Sequence, residues 1–494
     1  MDEDRYTSSY RFGPLERRGL VGSWRIGQVL VVGFACLVAV LVFRAAPSSA
    51  GFVVGLLLIA TGAFITLAPL AGRSLEQWAP LLSDWLLVKV RGAHRYRSLD
   101  PFSGNGAPLS LPASISECRV LSFPLADGHE LGVVRDRASR AYTAVLGVQM
   151  RALGLLAAAD QERRLAAWGR TLASLAGDRS VIRRIQLLER TVPCDPDELI
   201  RHAHDHGSDR HGAAWESYIE LLDSAAQVAQ DHELLIAIQI DERRAWRIAG
   251  SDSHARSLDP QGQACAILAR ELQGFAQRLD SDELHVLGLL DPEQLTAAIR
   301  LGFDPYRRRS AAALSPGPTA ADAAWSSYRA DSALHRTYWV AEWPRTQVGP
   351  AFFTPLLLGL QAVRAVSIVF DPVPPGRARA AVEAAITSDE ADEQVRAERG
   401  FRLTARRRRQ ADSARNREQE LADGHEEMRF AGFVTVSGRD EDELAAACAE
   451  LEHAAQRAFL VLEPLWGQQD LGLAFASLPL ARGLKSAKPW SVSA

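Results

Sequence analysis

Two uncharged apolar stretches near the amino end constrain the fold of this chain more than any other feature. The first runs from Ile26 to Phe43, and the second runs from Phe52 to Ala71. At a helical rise of about 1.5 Å per residue, each stretch is long enough to cross the roughly 30 Å hydrocarbon core of a bilayer. The sequence therefore predicts a two-helix transmembrane hairpin over residues 26–71, and a pair of buried core helices is the alternative.

Basic residues predict the orientation of this hairpin. Residues 1–25 contain five arginines, residues 72–97 contain five lysines and arginines, and the connecting loop contains only Arg44. Because positive charge collects on the cytoplasmic side of a membrane, both termini are expected there. The expected location is the inner, or plasma, membrane. Residues 72–110 are interpreted as an amphipathic segment, which contains Trp78 and Trp85, followed by a linker rich in Gly, Pro and Ser.

Composition limits the classes to which the rest of the chain can belong. With 494 residues, of which 47% are hydrophobic and 23% charged, the chain can bury several cores. A net charge of -4 provides no general attraction to nucleic acid. The five cysteines are scattered and never spaced C-x-x-C, which indicates reduced thiols rather than a disulfide framework or a zinc site.

Hydrophobic periodicity beyond residue 110 predicts an α+β body on the cytoplasmic side. Three strand-like runs between residues 115 and 150 indicate a small antiparallel β module, and Asp127-Gly128 is typical of a hairpin turn. Strands and helices then alternate in two series, which we interpret as two ferredoxin-like α+β passes. The predicted strands are 182–192, 232–240, 335–344, 363–373, 429–437 and 459–462, and the predicted helices are 153–175, 213–229, 263–278, 351–360, 380–427 and 440–458. The predicted regions are 111–310, a linker at 311–334, and 335–494.

The stretch of sequence that comes closest to a nucleotide-binding motif lacks the residues that the motif requires. The segment Gly483-Leu484-Lys485-Ser486 resembles the end of a phosphate-binding loop, but Leu484 and Pro479 occupy the two positions that require glycine. Neither a G-x-G-x-x-G turn nor a G-x-S-x-G nucleophile elbow is found. We therefore assign no catalytic residue, no cofactor and no metal ligand, and we expect the protein not to be an enzyme.

Three stretches carry a resemblance to a known family. The amino end, "YRFGPLERRGLVGSWRIGQVLVV", followed by two apolar helices, resembles the PrgI-type membrane subunit of actinobacterial type IV secretion and conjugation systems. Residues 336–358 and 406–484 resemble the amino-terminal domain of the large ATPase of those systems. A passage similar to "GQQ…LP…GRGL" precedes the nucleotide-binding domain in that family, and its matching positions here are Gly467, Gln468, Gln469, Leu478, Pro479, Arg482, Gly483 and Leu484.

The resemblance implies a function because the sequence lacks the ATPase domain that follows in the family. It implies a non-enzymatic inner-membrane component of a type IV secretion or conjugation-like apparatus, which anchors and docks a separate cytoplasmic motor ATPase. The implied partners are that ATPase, other membrane subunits of the apparatus, and membrane lipid. An oligomer is expected to form through the assembly.

An arginine cluster is the main candidate for partner docking. It consists of Arg406, Arg407, Arg408, Arg409, Arg415 and Arg417, and Gly467, Gln468 and Gln469 are added through the resemblance. The same cluster could bind DNA phosphates, which would make the protein a nucleic-acid receptor. Glutamates nearby favour an exposed helix with mixed charges as a third interpretation, so DNA contact is possible but not indicated.

Histidines provide the remaining alternative, a membrane-anchored metal-dependent enzyme. On a helix, His202 and His206 would share one face at a spacing of four residues, which suits two metal ligands. Asp209 or His211 could supply a third ligand. The polar sequence around Gly207 favours instead the solvated end of a helix.

Overall fold

The computed structural model describes a chain with two compact units. A small helical unit lies within residues 14–94, and the larger unit contains residues 95–465 and 469–484. The described residues are 26–45, 47–67, 69–70, 73–98, 111–149, 157–175, 177, 180–194, 196–207, 210–226, 229–250, 257–281, 284–307, 315–398, 415, 417–422 and 427–484.

The small unit is a helical hairpin followed by a third helix. Helices α1 (Ile26–Ala45) and α2 (Ser49–Leu67) pack together through small residues. A Cβ atom added to Gly62 would lie 2.7 Å from Cβ of Ala35, and one added to Gly55 would lie 3.4 Å from the carbonyl oxygen of Ala39. A ribbon of β1 (Pro69–Leu70) and β2 (Arg73–Ser74) then leads into α3 (Leu75–Val90).

The prediction of two membrane spans is wrong. None of the helices in the described part of the chain has the length and apolar character needed to cross a membrane. The predicted span from Ile26 to Phe43 lies within α1, whereas the span from Phe52 to Ala71 is not helical throughout. Helix α2 ends at Leu67, and the chain enters the ribbon at Pro69, a residue that has no backbone N–H for a continuing helix. The inner-membrane localisation therefore loses its basis.

The larger unit contains one antiparallel sheet of 13 strands. Along the sheet the order is β3-β10-β11-β12-β14-β13-β7-β8-β6-β5-β4, with β15 paired to β12 and β9 paired to β6. The strands are β3 (Arg95–Arg97), β4 (Cys118–Pro124), β5 (Glu130–Asp136), β6 (Ala141–Gln149), β7 (Ile182–Pro193), β8 (Gln230–Asp241), β9 (His285–Leu289), β10 (Ala320–Ala323), β11 (Tyr328–Ala330), β12 (Ala333–Glu342), β13 (Val363–Pro372), β14 (Met428–Gly438) and β15 (Val461–Pro464).

Helices connect the strands, and aspartates begin three of them. Asp241, Asp291 and Asp440 each accept a hydrogen bond from a backbone N–H in the first turn, which satisfies a donor that the helix itself leaves free. The helices of this unit are α4 (Ala158–Ala173), α5 (Pro196–His206), α6 (Ala213–Ala226), α7 (Glu242–Ala249), α8 (Pro260–Ser281), α9 (Pro292–Phe303), α10 (Thr354–Leu357), α11 (Pro375–Glu398), α12 (Glu441–Arg457) and α13 (Gln469–Ala476).

The sheet consists of two halves with the same topology. In the first half the order is β9-β6-β8-β7, and in the second half it is β15-β12-β14-β13. When the four strands of each half are numbered one to four in chain order, both halves have the spatial order four, one, three, two, as in a split βαβ unit. In each half, one edge of strand one pairs both with strand four and with the strand that precedes strand one in the sequence. This preceding strand is β5 in the first half and β11 in the second. The larger unit is therefore an internal structural repeat.

The two halves join through β7 and β13, which run antiparallel. Leu188 of β7 lies directly opposite Ser367 of β13. These two residues occupy equivalent positions in their halves, so an approximate two-fold axis passes between them. The side-chain amide of Gln186 donates a hydrogen bond of 2.9 Å to Oγ of Ser367 across the same seam.

Helices cover both faces of the sheet. On one face α4, α7 and α8 pack on the first half around Phe275, while α10 and α12 pack on the second half around Leu451. On the opposite face α9 and α13 form a core shared by both halves, with Leu188 and Ala365 at its centre. Full burial of a side chain such as Phe275 contributes about 1.5–3 kcal/mol to folding.

The predicted α+β fold is wrong in its arrangement. The sequence suggested a small β module and two separate ferredoxin-like passes behind a transmembrane hairpin, but β4, β5 and both series of strands belong to one continuous sheet. The segment interpreted as a linker at 311–334 contributes β10 and β11. Hydrophobic periodicity identifies a strand but does not determine which edge another strand will pair with, which is why the seam was missed.

Candidate functional site

The two blocks that carry the resemblance to the secretion ATPase form one continuous body in the second half. Residues 336–358 contain most of β12 and all of α10, and residues 406–484 contain β14, α12, β15 and α13. Strand β12 lies between β14 and β15, with Tyr338 opposite Val434 on one side and opposite Pro464 on the other. Residues 96 and 126 positions apart in the sequence are thus neighbours in the sheet.

Three exposed apolar residues follow α10 and α12 in this body. Leu358 follows α10 and is 64% exposed, while Phe459 and Val461 follow α12 and are 64% and 48% exposed. The two helices pack together, and Glu450 of α12 accepts hydrogen bonds from the backbone N–H groups of Gln361 and Ala362 just after α10. We call Leu358, Phe459 and Val461 the docking edge.

Phe459 has a backbone conformation that is unusual for its residue type. Its φ is 55°, in the left-handed region, where a phenylalanine side chain is disfavoured. The N–H of Phe459 donates to the carbonyl of Gln456 and that of Leu460 donates to the carbonyl of Ala455, a Schellman motif that ends α12. Glycine is the usual residue at this position of the motif. An exposed aromatic ring in its place is a strained feature of the kind that accumulates at functional sites.

The final described segment is held against the first half of the sheet. Residues 477–484, here called the strap, cross the face that α9 and α13 cover. Gln186 of β7 donates to the carbonyl of Leu478 at 3.0 Å and accepts from the N–H of Ala481 at 2.7 Å. Gln239 of β8 donates to the carbonyl of Leu480 at 3.1 Å. Both glutamines are buried, so their side-chain amides form hydrogen bonds with the strap and not with solvent.

A buried ion pair fixes the end of the strap. Nη2 of Arg482 lies 2.7 Å from Oδ2 of Asp136 on β5. Burial by itself raises the pKa of the Asp136 carboxyl, but the charge of Arg482 and hydrogen bonds from Ser139 and Arg482 together hold that pKa below its usual value. The carboxylate is therefore ionised and paired near neutral pH. The adjoining Gly483 has φ 113°, which suits glycine.

The arginine cluster proposed for docking lies largely outside the described residues. Arg406, Arg407, Arg408 and Arg409 fall in that part of the chain. Arg415 is exposed, and Arg417 forms an ion pair with Glu427 just before β14. The use of this cluster in docking stays a prediction.

The three remaining docking candidates differ in their surroundings. Gly467 has φ 71° and, with Gln468, belongs to the turn before α13. Gln469 is buried, accepts a hydrogen bond of 2.8 Å from the backbone N–H of Thr337, and donates one of 3.0 Å to the carbonyl of Leu465. Its amide groups connect α13 to β12, so its side chain supports the fold from within.

The histidines of the metal hypothesis lie on α5, which ends at His206. His202 and His206 share one face, with ring centroids 4.1 Å apart, while His204 packs edge-on against Trp215. Asp209 lies outside the described residues. Within the part of the chain that the structure describes, no three His, Cys, Asp or Glu residues form a group that could hold a metal ion.

Sequence reasoning missed the docking edge. The run from Phe459 to Leu462 was interpreted as an ordinary short strand, and the strand begins instead at Val461. One signal was present: Phe459 follows a predicted helix directly, at the place where a glycine would ordinarily end it. Exposure of Leu358 had no sequence signal, because it depends on how α10 packs against α12.

No protein-family model matches the chain, and no curated protein matches it at a significant level.

Proposed function

We propose that the protein is a non-enzymatic docking subunit of a type IV secretion or conjugation-like apparatus. In this proposal the second half of the larger unit binds a separate motor ATPase of that apparatus. The docking edge, Leu358, Phe459 and Val461, supplies the central contacts. The proposal includes no chemical step, and the protein's contribution is to position the motor.

The observation that carries the proposal is that exposed apolar residues of both resembling blocks follow two helices, α10 and α12, that pack together. Leu358 closes the first block, Phe459 and Val461 belong to the second, and all three are exposed and apolar. Protein interfaces are enriched in aromatic side chains at their centres, and a few such residues supply most of the binding energy. A strained, exposed phenylalanine at the end of a packed helix fits that role.

The strap supports the same proposal from the other side of the sheet. Its residues Leu478, Pro479, Arg482, Gly483 and Leu484 are positions of the resembling passage, which precedes the motor domain in the ATPase family. Gln186, Gln239 and Asp136 of the first half hold this passage in place. The first half would thus brace the second half during motor binding.

The test is affinity capture of the tagged full-length chain from cells that naturally produce it, followed by quantitative mass spectrometry. Three forms are compared: wild type, Phe459→Ser, and Leu287→Ser as a matched control. Leu287 lies on β9, the equivalent strand region of the first half, and is likewise 64% exposed. We expect wild type and Leu287→Ser to retain a secretion-type ATPase that Phe459→Ser loses. Absence of such an ATPase from the wild-type sample would overturn the proposal.

A further inference from the structure

The outer edge of β4 ends the sheet in the first half. Strand β4 pairs with β5 along its whole length, from Cys118 opposite Asp136 to Pro124 opposite Glu130. Among the described residues no strand pairs with its other edge. An edge strand presents a row of unpaired N–H and C=O groups, to which another extended segment can add.

The internal repeat indicates what such an edge accepts. Strand β10 occupies in the second half the place that β4 occupies in the first, and its outer edge carries a further strand, β3. Aligning the two halves through their registers superimposes Cys118 on Ala321, and both side chains are buried in the core shared by the two halves. Tyr96 of β3 lies opposite Ala321 and packs on that same core.

At the position that follows Cys118 on β4 and Ala321 on β10, the side chains of the two halves carry opposite charges. In the second half Asp322 lies opposite Arg95 of β3, with 3.5 Å between Oδ2 of Asp322 and Nε of Arg95. The position equivalent to Asp322 in the first half is Arg119. Its side chain is exposed and forms no ion pair with any residue that the structure describes. A strand added to β4 would therefore need a carboxylate where β3 has Arg95.

We propose that the free edge of β4 binds an extended segment of a partner protein that carries an acidic residue followed by an aromatic one. The acidic side chain would lie opposite Arg119, and the aromatic side chain would lie opposite Cys118, as Tyr96 lies opposite Ala321. Backbone hydrogen bonds supply most of the affinity in this mode of recognition, and side chains at alternate positions supply the specificity.

Apolar side chains beside the edge support this occupant. Val120 packs on the core shared by both halves, while Leu121 and Phe123 pack on the opposite face, and all three are only partly buried. An added strand would cover them further and gain about 25 cal/mol for each square ångström of apolar surface removed from water. The edge thus offers apolar contact on both faces in addition to its backbone groups.

In the register that pairs β4 along its whole length, charge does not favour a second copy of this chain as the occupant. If two β4 strands paired antiparallel around their central Leu121, Arg119 would lie opposite Phe123 of the second copy. Arg119 would then have no carboxylate partner directly across the new pair. The proposal does not rest on the docking of a motor ATPase, since the β4 edge lies in the first half and the docking edge lies in the second.

The experiment uses the full-length chain and two short blocked peptides that carry a fluorophore. Both have a threonine and valine background; one contains Glu-Tyr-Thr at its centre and the other contains Arg-Tyr-Thr, because the third position would lie opposite Glu117 and is kept neutral. Fluorescence anisotropy measures the affinities, and hydrogen exchange measures protection of the outward-facing β4 backbone amides, those that do not bond to β5. We expect wild type to prefer the first peptide by about fivefold, the value of one exposed ion pair, with added protection at β4.

A charge reversal makes the test specific. Arg119→Glu should reverse the preference between the peptides, whereas Arg329→Glu should leave it unchanged. Arg329 is an exposed arginine on β11, a strand paired on both edges. Equal affinity of wild type for both peptides, or binding of neither, would overturn the proposal and leave Arg119 as a charge that protects the edge from aggregation. Protection, in the chain alone, of the outward-facing β4 amides that do not bond to β5 would also overturn it, with light scattering distinguishing a second copy from an internal segment.

Discussion

Arg482 and Asp136 are 346 positions apart in the sequence, yet the guanidinium of Arg482 donates two hydrogen bonds to Oδ2 of Asp136. The distances are 3.0 Å from Nε and 2.7 Å from Nη2. The side chains are 15% and 4% exposed, so the pair is largely shielded from water. This pair ties the strap to the outer part of the first half.

Replacing Arg482 by methionine should destabilise the larger unit strongly. Arg482→Met leaves the buried Asp136 carboxylate without its partner, and breaking such a pair costs about 3–5 kcal/mol. Urea denaturation followed by tryptophan fluorescence measures the free energy of unfolding. Arg345→Met is the control, because Arg345 pairs with Glu342 at the surface and should contribute less than about 1 kcal/mol. Equal effects of the two substitutions would contradict the clamping role of Arg482.

His335 should make folding sensitive to mild acid. It is buried, and burial lowers the pKa of its imidazole to about 4, although the hydrogen bond to the Phe303 carbonyl opposes this shift. The ring is therefore neutral, with Nε2–H donating to that carbonyl at 2.8 Å and Nδ1 2.8 Å from Oγ of Ser437. In the unfolded chain the pKa is about 6.5.

The sign of this effect follows from the lowered pKa. Between these two pKa values His335 is protonated in the unfolded chain but neutral in the folded chain. The folded state therefore keeps its whole stability above about pH 6.5 and loses stability as the pH falls towards 4. His335→Gln should remove this part of the pH dependence, whatever its effect on stability at neutral pH. Denaturation midpoints measured across this pH range give the comparison. An unchanged slope in the variant would show that another group is responsible.

Gly302 should be indispensable for packing of α9 against the strap. A Cβ atom there would lie 2.5 Å from the carbonyl oxygen of Ser477 and 2.6 Å from Cδ2 of Leu478. Gly302→Ala is therefore expected to cost about 1–3 kcal/mol through overpacking. Gly274→Ala in α8 is the control: the added Cβ meets nothing within 4 Å, and stability should rise by about 0.5–1 kcal/mol. Thermal unfolding of the two variants should move in opposite directions.

Phe459 is expected to lower the stability of the fold while contributing to binding of the ATPase. Phe459→Gly relieves the left-handed strain, which is about 1–2 kcal/mol, but loses part of that gain to the greater freedom of glycine in the unfolded chain. We expect a net gain of about 0.5–1 kcal/mol. Phe459→Ala keeps the strained backbone and should show no gain. Urea denaturation of both variants tests this, and a less stable Phe459→Gly would mean that the exposed ring supports the fold.

Local structure was largely accessible from the sequence. Strand-like patterns located β7, β8, β13 and β14 to within about two residues, because β-branched and apolar side chains recur there with clear turn signals on either side. The hairpin turn at Asp127-Gly128 also formed, with Gly128 at φ 87°. These features depend only on neighbouring residues.

Long-range structure was not accessible in the same way. Pairing of β7 with β13 depends on a register between segments about 180 residues apart, and several registers satisfy the same hydrophobic pattern. Helix α9 was not predicted, although Asp291 and Gln294 form a capping box at its start. The Arg482–Asp136 pair has no local signature. Exposure of Phe459 likewise follows from packing.

The most direct measurement is the affinity of the ATPase recovered by capture for the full-length chain and for Phe459→Gly. This variant is expected to be at least as stable as wild type, so weaker binding would not reflect unfolding. We predict that the ATPase binds Phe459→Gly at least about tenfold more weakly than wild type, equivalent to about 1.4 kcal/mol, while Leu287→Ser binds normally. Equal affinities for wild type and Phe459→Gly would contradict the assignment of the docking edge.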